Sequence, residues 1–482
     1  MDDRMRAAKA AVDGALSAGA SYADARVNRV CEQDLVLRNG ALESAASSED
    51  AGAGVRVMVD GCWGYAAAPV TDESGLKALA QRALASAQKL ASARLEPLRL
   101  SAESGHVGEY KTPIEVDPLA VPLAEKLDLL RRCDESMQGA EETVVREASC
   151  SLRREEQWMA SSEGAELYQD LVRSGAGIAT TAAAKGVVGR RSWPASFGGN
   201  YRSAGWEFVT GLDLPAHGAE MRDESVALCS ADACPGGEFD TILMGNQLML
   251  QIHESVGHPN ELDRVHGHEV DLAGASFATT DKLGSFTYGS DIVNLVADST
   301  VPGGLDTRGW DDDGVPSQAW HVVENGRFTG YHTSREWADR IGEQQSRGTN
   351  RAEGWYNPPI IRITNLSLMP GNWTLEDLIA DTEHGILCDT VKMWSIDQRR
   401  LNFQFTTEIG WEIKDGKKVR MLRNPTYQGS TPEFWRSCDA ICDADHWELW
   451  GVPNCGKGNP IQIAEMSHGA APARFRGLNF VG

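Results

Sequence analysis

The chain has 482 residues, with 69 acidic against 46 basic side chains and a formal charge of −23; its length sets a prior of two or three domains around a substantial buried core. So acidic a balance argues against a general affinity for nucleic acid phosphates or anionic lipid, both of which need local positive charge. No stretch approaches the roughly 18 uninterrupted apolar residues of a membrane span, and the ten cysteines are too dispersed for a small secreted domain's disulfide framework, so reduced thiols and a cytoplasmic location are expected.

In chain order, "MDDRMRAAKAAVDGALSAG" predicts an amphipathic helix and lacks a signal peptide's apolar run. Two hairpins follow, turning at Asn39-Gly40 and Asp60-Gly61. A second helix carries Leu76, Leu79, Ala83 and Leu90 at helical spacing, a face able to cover those hairpins. Polar, proline-containing sequence over 100–118 suggests a linker. Next comes a helix after Pro122 with Leu123, Leu127, Leu130 and Met137 on one side, then alternating segments from about Val144 to Val188 that predict antiparallel sheet. From about Asp223 the sequence turns to Gly, Trp and short strands, with hairpins at Asn325-Gly326 and Asp415-Gly416. The expected class is α+β. Residues 1–222 form an N-terminal mixed α/β domain of antiparallel sheet and covering helices, with a sub-boundary near 100–118. Residues 223–482 form a mostly antiparallel β C-terminal domain carrying the metal-site helix.

That helix holds "QIHESVGHPNELD", residues 251–263. In H-E-x-x-H metalloproteases the two histidines are four apart and share a helix face, with the glutamate as general base. Here His253 and His258 are five apart, so a regular helix would aim them about 140° away from each other. Two repairs are open. Gly257 can end the helix in a left-handed conformation, with Pro259 keeping His258 out of α geometry, or a π-bulge can absorb the extra residue. Asn246 is the expected N-cap, and Met249, Ile252 and Val256 the apolar stripe. Against a metal stands the plainer possibility that both histidines are surface or hydrogen-bonded core residues near a helix end.

Rival donor sets are weaker. Cys438, Cys442 and His446 would share a face if helical, but the cysteines suit a core; His266 and His268, on one side of a strand, are expected to line the cleft. Asp311, Asp312 and Asp313 lack a calcium loop's spacing and predict a solvated turn.

The motif resembles the TldD/PmbA metalloproteases, whose active members carry H-E-x-x-x-H followed by Glu and Asp, here His253, Glu254, His258, Glu261 and Asp263. The resemblance is collinear through "GAGVRVMVDGCWGYA", "DDDGVPSQAWHVVENGRFTGYHTSRE", "RITNLSLMPGNWTLEDLIADTEHGILC" and "NCGKG". It implies Cys455 as a third ligand beside His253 and His258, with zinc as the cofactor and a fourth position left for water. It also implies a peptidase that hydrolyses unfolded or short peptides by a metal-activated water, with Glu254 as general base and acid. The peptide would enter as an extended strand, in a dimer that is often a heterodimer with an inactive paralogue. In "RITN", Arg362, Thr364 and Asn365 are candidate peptide contacts, with internal bracing as their alternative. Two other functions stand beside this one: a non-catalytic, channel-forming partner of such a protease, and an amidase acting on a small-molecule amide conjugate.

Overall fold

The structure, a computed structural model, describes residues 2–93 and 96–482. Four long strands, Tyr22–Arg38, Ala41–Val59, Thr143–Ser161 and Glu166–Ala184, form the spine of an eight-stranded sheet. The first two are joined through Asn39 and Gly40, at φ 49° and 78°, and the second turns into Cys62–Ala68 through Asp60 and Gly61, at 48° and 74°. Positive φ at both central positions gives the two-residue turn whose twist matches the flanking strands. The same pair of conformations recurs at Asn325-Gly326 and Asp415-Gly416, so every hairpin predicted from these dipeptides is present.

Helices Asp3–Ser17 and Glu73–Ala91 lie together over one end of this sheet, where Ala8, Ala11, Leu76, Leu79 and Ala83 pack with Val27, Val55 and Val57. Small residues let the layers approach closely: a Cβ on Gly64 would meet the Ala83 carbonyl oxygen at 1.9 Å. Leu90, on the last turn, is exposed. Helices Leu123–Ser136 and Leu214–Leu228 cover the other end. The buried side of Leu123–Ser136 is Lys126, Leu129, Leu130 and Cys133, whereas Leu123, expected inside, is exposed. The stripe is rotated because Lys126 takes an inward position, its ammonium donating to Gln33 Oε1 at 2.5 Å.

Residues 100–118 are more than a linker. They include the strand Val107–Lys111, which runs parallel to Glu166–Ala184; a half-buried edge strand needs no apolar run, so composition hid it. The division expected at 222/223 falls inside helix Leu214–Leu228, which packs on the strand Val187–Trp193.

In the second half a sheet closes on itself. His384–Ile396 pairs with Asn402–Lys414, which pairs with Thr426–Ser430, then Ala473–Phe480, then Gly237–Leu243, which returns in parallel to His384–Ile396. Phe405, Tyr427, Phe475 and Phe480 belong to its core. The overall class is α+β, as the sequence predicts. Asp311, Asp312 and Asp313, however, are buried instead of solvated. Arg26 Nη1 lies 2.9 Å from Asp312, and Arg56 Nη2 lies 2.8 Å from both Asp24 and Asp313, pinning the first sheet to the second half. A run of acids looks solvated when its counter-charges stand far upstream in the chain.

Candidate metal centre

The strand Gly237–Leu243 delivers the chain into helix Gly245–Ile252, every residue of which is buried. Its polar residues are spent on the surroundings: the Tyr427 hydroxyl accepts from Gln247 and donates to Gln251, while Asn246 donates to Thr390 Oγ1. Met244, not Asn246, therefore holds the cap position.

The chain does not break at Gly257. Residues His253–Gly257 form a π turn, and the His258 amide bonds the His253 carbonyl. Gly257 (φ −59°, ψ −70°) and His258 (φ −59°, ψ −42°) are both right-handed, and Pro259 follows in the short 3-10 turn His258–Asn260. Of the two repairs, the structure uses the wider turn. Carbonyls it frees find other donors, Tyr288 Oη on Ser255 at 2.5 Å and Asn260 Nδ2 on Val256 at 2.7 Å, so the irregular backbone leaves these polar groups satisfied. Positions five apart thus share a side, and the rings of His253 and His258 stand 4.8 Å apart.

Cys455 arrives from the hairpin Glu448–Lys457 and Gln462–Ala470, at a register irregularity after Val452. One donor atom each of His253, His258 and Cys455 lies within 4.8 Å of the others, and all three residues are buried. Neighbouring groups fix the imidazole tautomers. His468 Nδ1 sits 2.8 Å from the Leu366 carbonyl and must carry the proton, so His468 Nε2 accepts from His253 Nδ1 at 2.8 Å. His258 Nδ1 donates to Glu261 Oε2 at 2.9 Å. With each Nδ1 committed to a hydrogen bond, Nε2 is the ring nitrogen left to meet a metal, and His258 Nε2 is 3.5 Å from Cys455 Sγ. Burial pushes the His253 imidazole down to about 4 and keeps it neutral. Burial alone would raise the Cys455 thiol, but His258 and Arg362 outweigh it and the net direction is toward thiolate. Two imidazoles and a thiol drawn toward thiolate are a donor set that a divalent metal fits.

Glu254 Oε1 accepts from Trp394 Nε1 at 3.0 Å and Oε2 from Arg400 Nη1 at 2.5 Å. Its burial favours the neutral form, yet positive charge facing it on His258 and Arg400, with the Trp394 N–H, holds the carboxyl below its usual range. Behind the cluster, the buried Lys457 ammonium lies 3.3 Å from Glu261 and 2.7 Å from Asp263, and Arg264 adds a second cation 3.2 Å from Glu261.

Other expected site residues are placed differently. Arg362 is buried and donates to the Cys455 carbonyl at 2.5 Å and the Gln462 carbonyl at 2.9 Å. Asn365 accepts from the Asp306 and Ser467 amides, and Thr364 is buried beside them. Arg362 and Asn365 thus brace the core, the alternative open to them beside substrate contact, while the buried Thr364 hydroxyl has no hydrogen-bond partner among the described residues. Cys438 lies on the strand Cys438–Ile441 with Cys442 directly after it, which breaks the helical spacing with His446 and leaves both cysteines in the core. His266 and His268 follow the short helix Leu262–Val265 in a turn, not a strand, and pack on Trp337. No motif or spacing points to His468, Trp394 or Arg400. Lys457 was detectable, two residues from Cys455 and so on the same strand face.

Three family models match in order: PmbA/TldA metallopeptidase domain 1 over residues 23–87, the central domain over 116–226 and the C-terminal domain over 236–482. The chain is 26% identical over 446 residues to a metalloprotease of Methanocaldococcus jannaschii, covering 92% of this chain and 94% of that one. It is 26% identical over 199 residues to a zinc metalloprotease TldD homologue of Saccharolobus solfataricus, covering 40% and 42% of the two chains. Its fold is similar to that of TldE from Thermococcus kodakarensis, with a TM-score of 0.73 at 16% identity over 99% of this chain and 100% of that one. The C-terminal model alone spans more than half of the sequence, and the chain belongs to the PmbA/TldD family of metallopeptidases.

Proposed function

We propose that this chain is a zinc-dependent peptidase acting on unfolded or short peptides, with His253, His258 and Cys455 as the metal ligands. The observation that carries this is the convergence of two tautomer-fixed imidazoles and a thiol on one point, with Glu254 beside them. Nitrogen and thiolate donors suit zinc, and three of them leave a position for water, the pattern of a catalytic site. When bound, zinc supplies Lewis acidity that polarises the scissile carbonyl and lowers the pKa of a water molecule. Glu254 takes the proton of the attacking water on a carboxylate oxygen and returns it to the departing amine. Trp394 and Arg400 hold that carboxylate in place.

A peptide would bind as an added strand. Beyond Asp389, His384–Ile396 is paired with Asn402–Lys414 on one side, while on the other its pairing with Gly237–Leu243 ends at Cys388. The bare edge from Val391 to Ile396 runs past Trp394 to the carboxylate, where main-chain hydrogen bonds can register an extended substrate. Family membership extends the proposal to a dimer, with a second copy or with a paralogue lacking the donors. We place the functional division after helix Leu214–Leu228, because every proposed ligand lies beyond it. No described helix is long and apolar enough to cross a membrane.

Zinc-loaded protein, challenged with a peptide library and in parallel with small-molecule amide conjugates, is expected to cleave peptides only and to stop on chelation. Cleavage of conjugates in place of peptides would make it an amidase. Failure to bind zinc stoichiometrically would make it a non-catalytic partner. A narrower prediction concerns His468, which acts through His253 as a positioning residue. His468→Ala is expected to weaken zinc binding by roughly 10–100-fold in competition with a chromophoric chelator. His468→Gln, which can still accept from His253 Nδ1, should recover part of that loss; equal affinity in all three proteins would remove the role.

A further inference from the structure

Two large aromatic side chains stay open to solvent where the catalytic carboxylate is most enclosed. Trp394 is 40% exposed although its indole N–H is held by Glu254 Oε1 at 3.0 Å, and Phe197, 38% exposed, stands edge-on to it with ring centroids 5.5 Å apart at 88°. They come from opposite halves of the chain: Trp394 lies on the bare-edged part of His384–Ile396, and Phe197 on the loop between the strands Val187–Trp193 and Asn200–Arg202. Phe197 is held at φ 63°, a left-handed conformation costly for a bulky residue, with Gly198 and Gly199 at 88° and 108° after it. The strained loop is anchored at both ends. Tyr201 Oη donates to the Phe197 carbonyl at 3.1 Å, and Asn246, at the start of the site helix, donates to the Pro194 carbonyl at 3.4 Å. A Cβ on Gly199 would lie 1.9 Å from the Ala176 carbonyl oxygen, so the loop has no slack behind it.

Packing alone does not explain this arrangement, since a phenylalanine whose role was burial would not be held in strain with over a third of its surface in water. We propose that Phe197 and Trp394 form an aromatic shelf that receives an apolar side chain, aromatic or long aliphatic, of the substrate residue flanking the scissile amide. Because Trp394 touches the general base, a side chain lying on the shelf belongs to a residue next to the bond being cut. Aromatic faces set edge-on favour another ring or a branched aliphatic group, and the water they release on contact supplies the preference. The shelf is a specificity determinant and rests on the peptidase reading above.

The test uses the full-length zinc-loaded protein and peptides identical except at the two residues flanking the cleaved bond, which carry Phe, Leu, Gly or Asp in turn. The wild type is expected to favour Phe and Leu over Gly, in kcat/KM, by roughly tenfold or more. Phe197→Ala should cut that ratio by roughly tenfold, mainly through KM, with zinc content unchanged, and Phe197→Leu should restore much of it. A wild type that cleaves all peptides alike, or a Phe197→Ala variant that keeps the ratio, overturns the shelf while leaving the peptidase intact. Loss of the Gly peptide by the same factor would show that Phe197 only shapes the loop, and that also overturns the proposal. If no peptide is cleaved at all and Glu254→Gln changes nothing, the peptidase reading falls and the shelf with it.

Discussion

Glu254→Gln is expected to retain one zinc per chain and to lose peptide hydrolysis by roughly a thousandfold, the middle of the range for a general acid–base group. The substitution keeps the shape of the side chain and an oxygen for the Trp394 indole. It removes the lone pair that takes the proton and the negative charge opposite Arg400. Because the proposed metal donors are His253, His258 and Cys455, zinc content should not follow activity down. Arg400 is then left as a largely buried cation without its counter-charge, so some thermal stability should go as well. Metal analysis, a melting curve and kcat/KM on one preparation separate the three effects, and near-normal turnover in a folded, zinc-loaded variant would remove the proposed base.

Cys455→Ser should do the opposite, with the fold kept and the metal lost. The bond that fixes this position runs from Arg362 to the Cys455 backbone carbonyl and survives the change. What disappears is a donor that its surroundings draw toward thiolate, replaced by a neutral hydroxyl. If zinc binding at a full protein site is worth about 10–16 kcal/mol, losing one strong ligand costs on the order of 3 kcal/mol, or about a hundredfold in affinity. Equilibrium dialysis against buffered zinc measures it, with peptidase activity followed alongside. Zinc bound as tightly as in the wild type would mean that Cys455 is a core thiol and that another group completes the site.

The four Asn-Gly and Asp-Gly turns and the second helix's inward face were readable in the sequence because each is local: a dipeptide needing positive φ, or a period of 3.6. Local signals mislead where a remote partner decides the outcome. The Asp311 to Asp313 run looked solvated because Arg26 and Arg56 lie far upstream. The strand Val107–Lys111 looked like a linker because only its neighbour Glu166–Ala184 makes it a strand. Arg362 and Asn365 read equally as substrate contacts or as internal bracing, because polar residues in a loop do not reveal which backbone groups will use them.

By itself the sequence determined the inventory of the site: two histidines and a glutamate within six residues, and a cysteine in a glycine-rich hairpin near the end of the chain. It also posed the spacing problem, since residues five apart do not share a face of a regular helix. Only the tertiary structure decided how that problem is solved. A π turn persists when the carbonyls it frees are bonded from elsewhere, here by Tyr288 and the Asn260 side chain. Which nitrogen each imidazole turns toward Cys455 is set in the same way, by His468 and Leu366 more than a hundred residues downstream and by Glu261 close at hand. Hydrogen bonds of that kind depend on distance in space and leave no period in the chain.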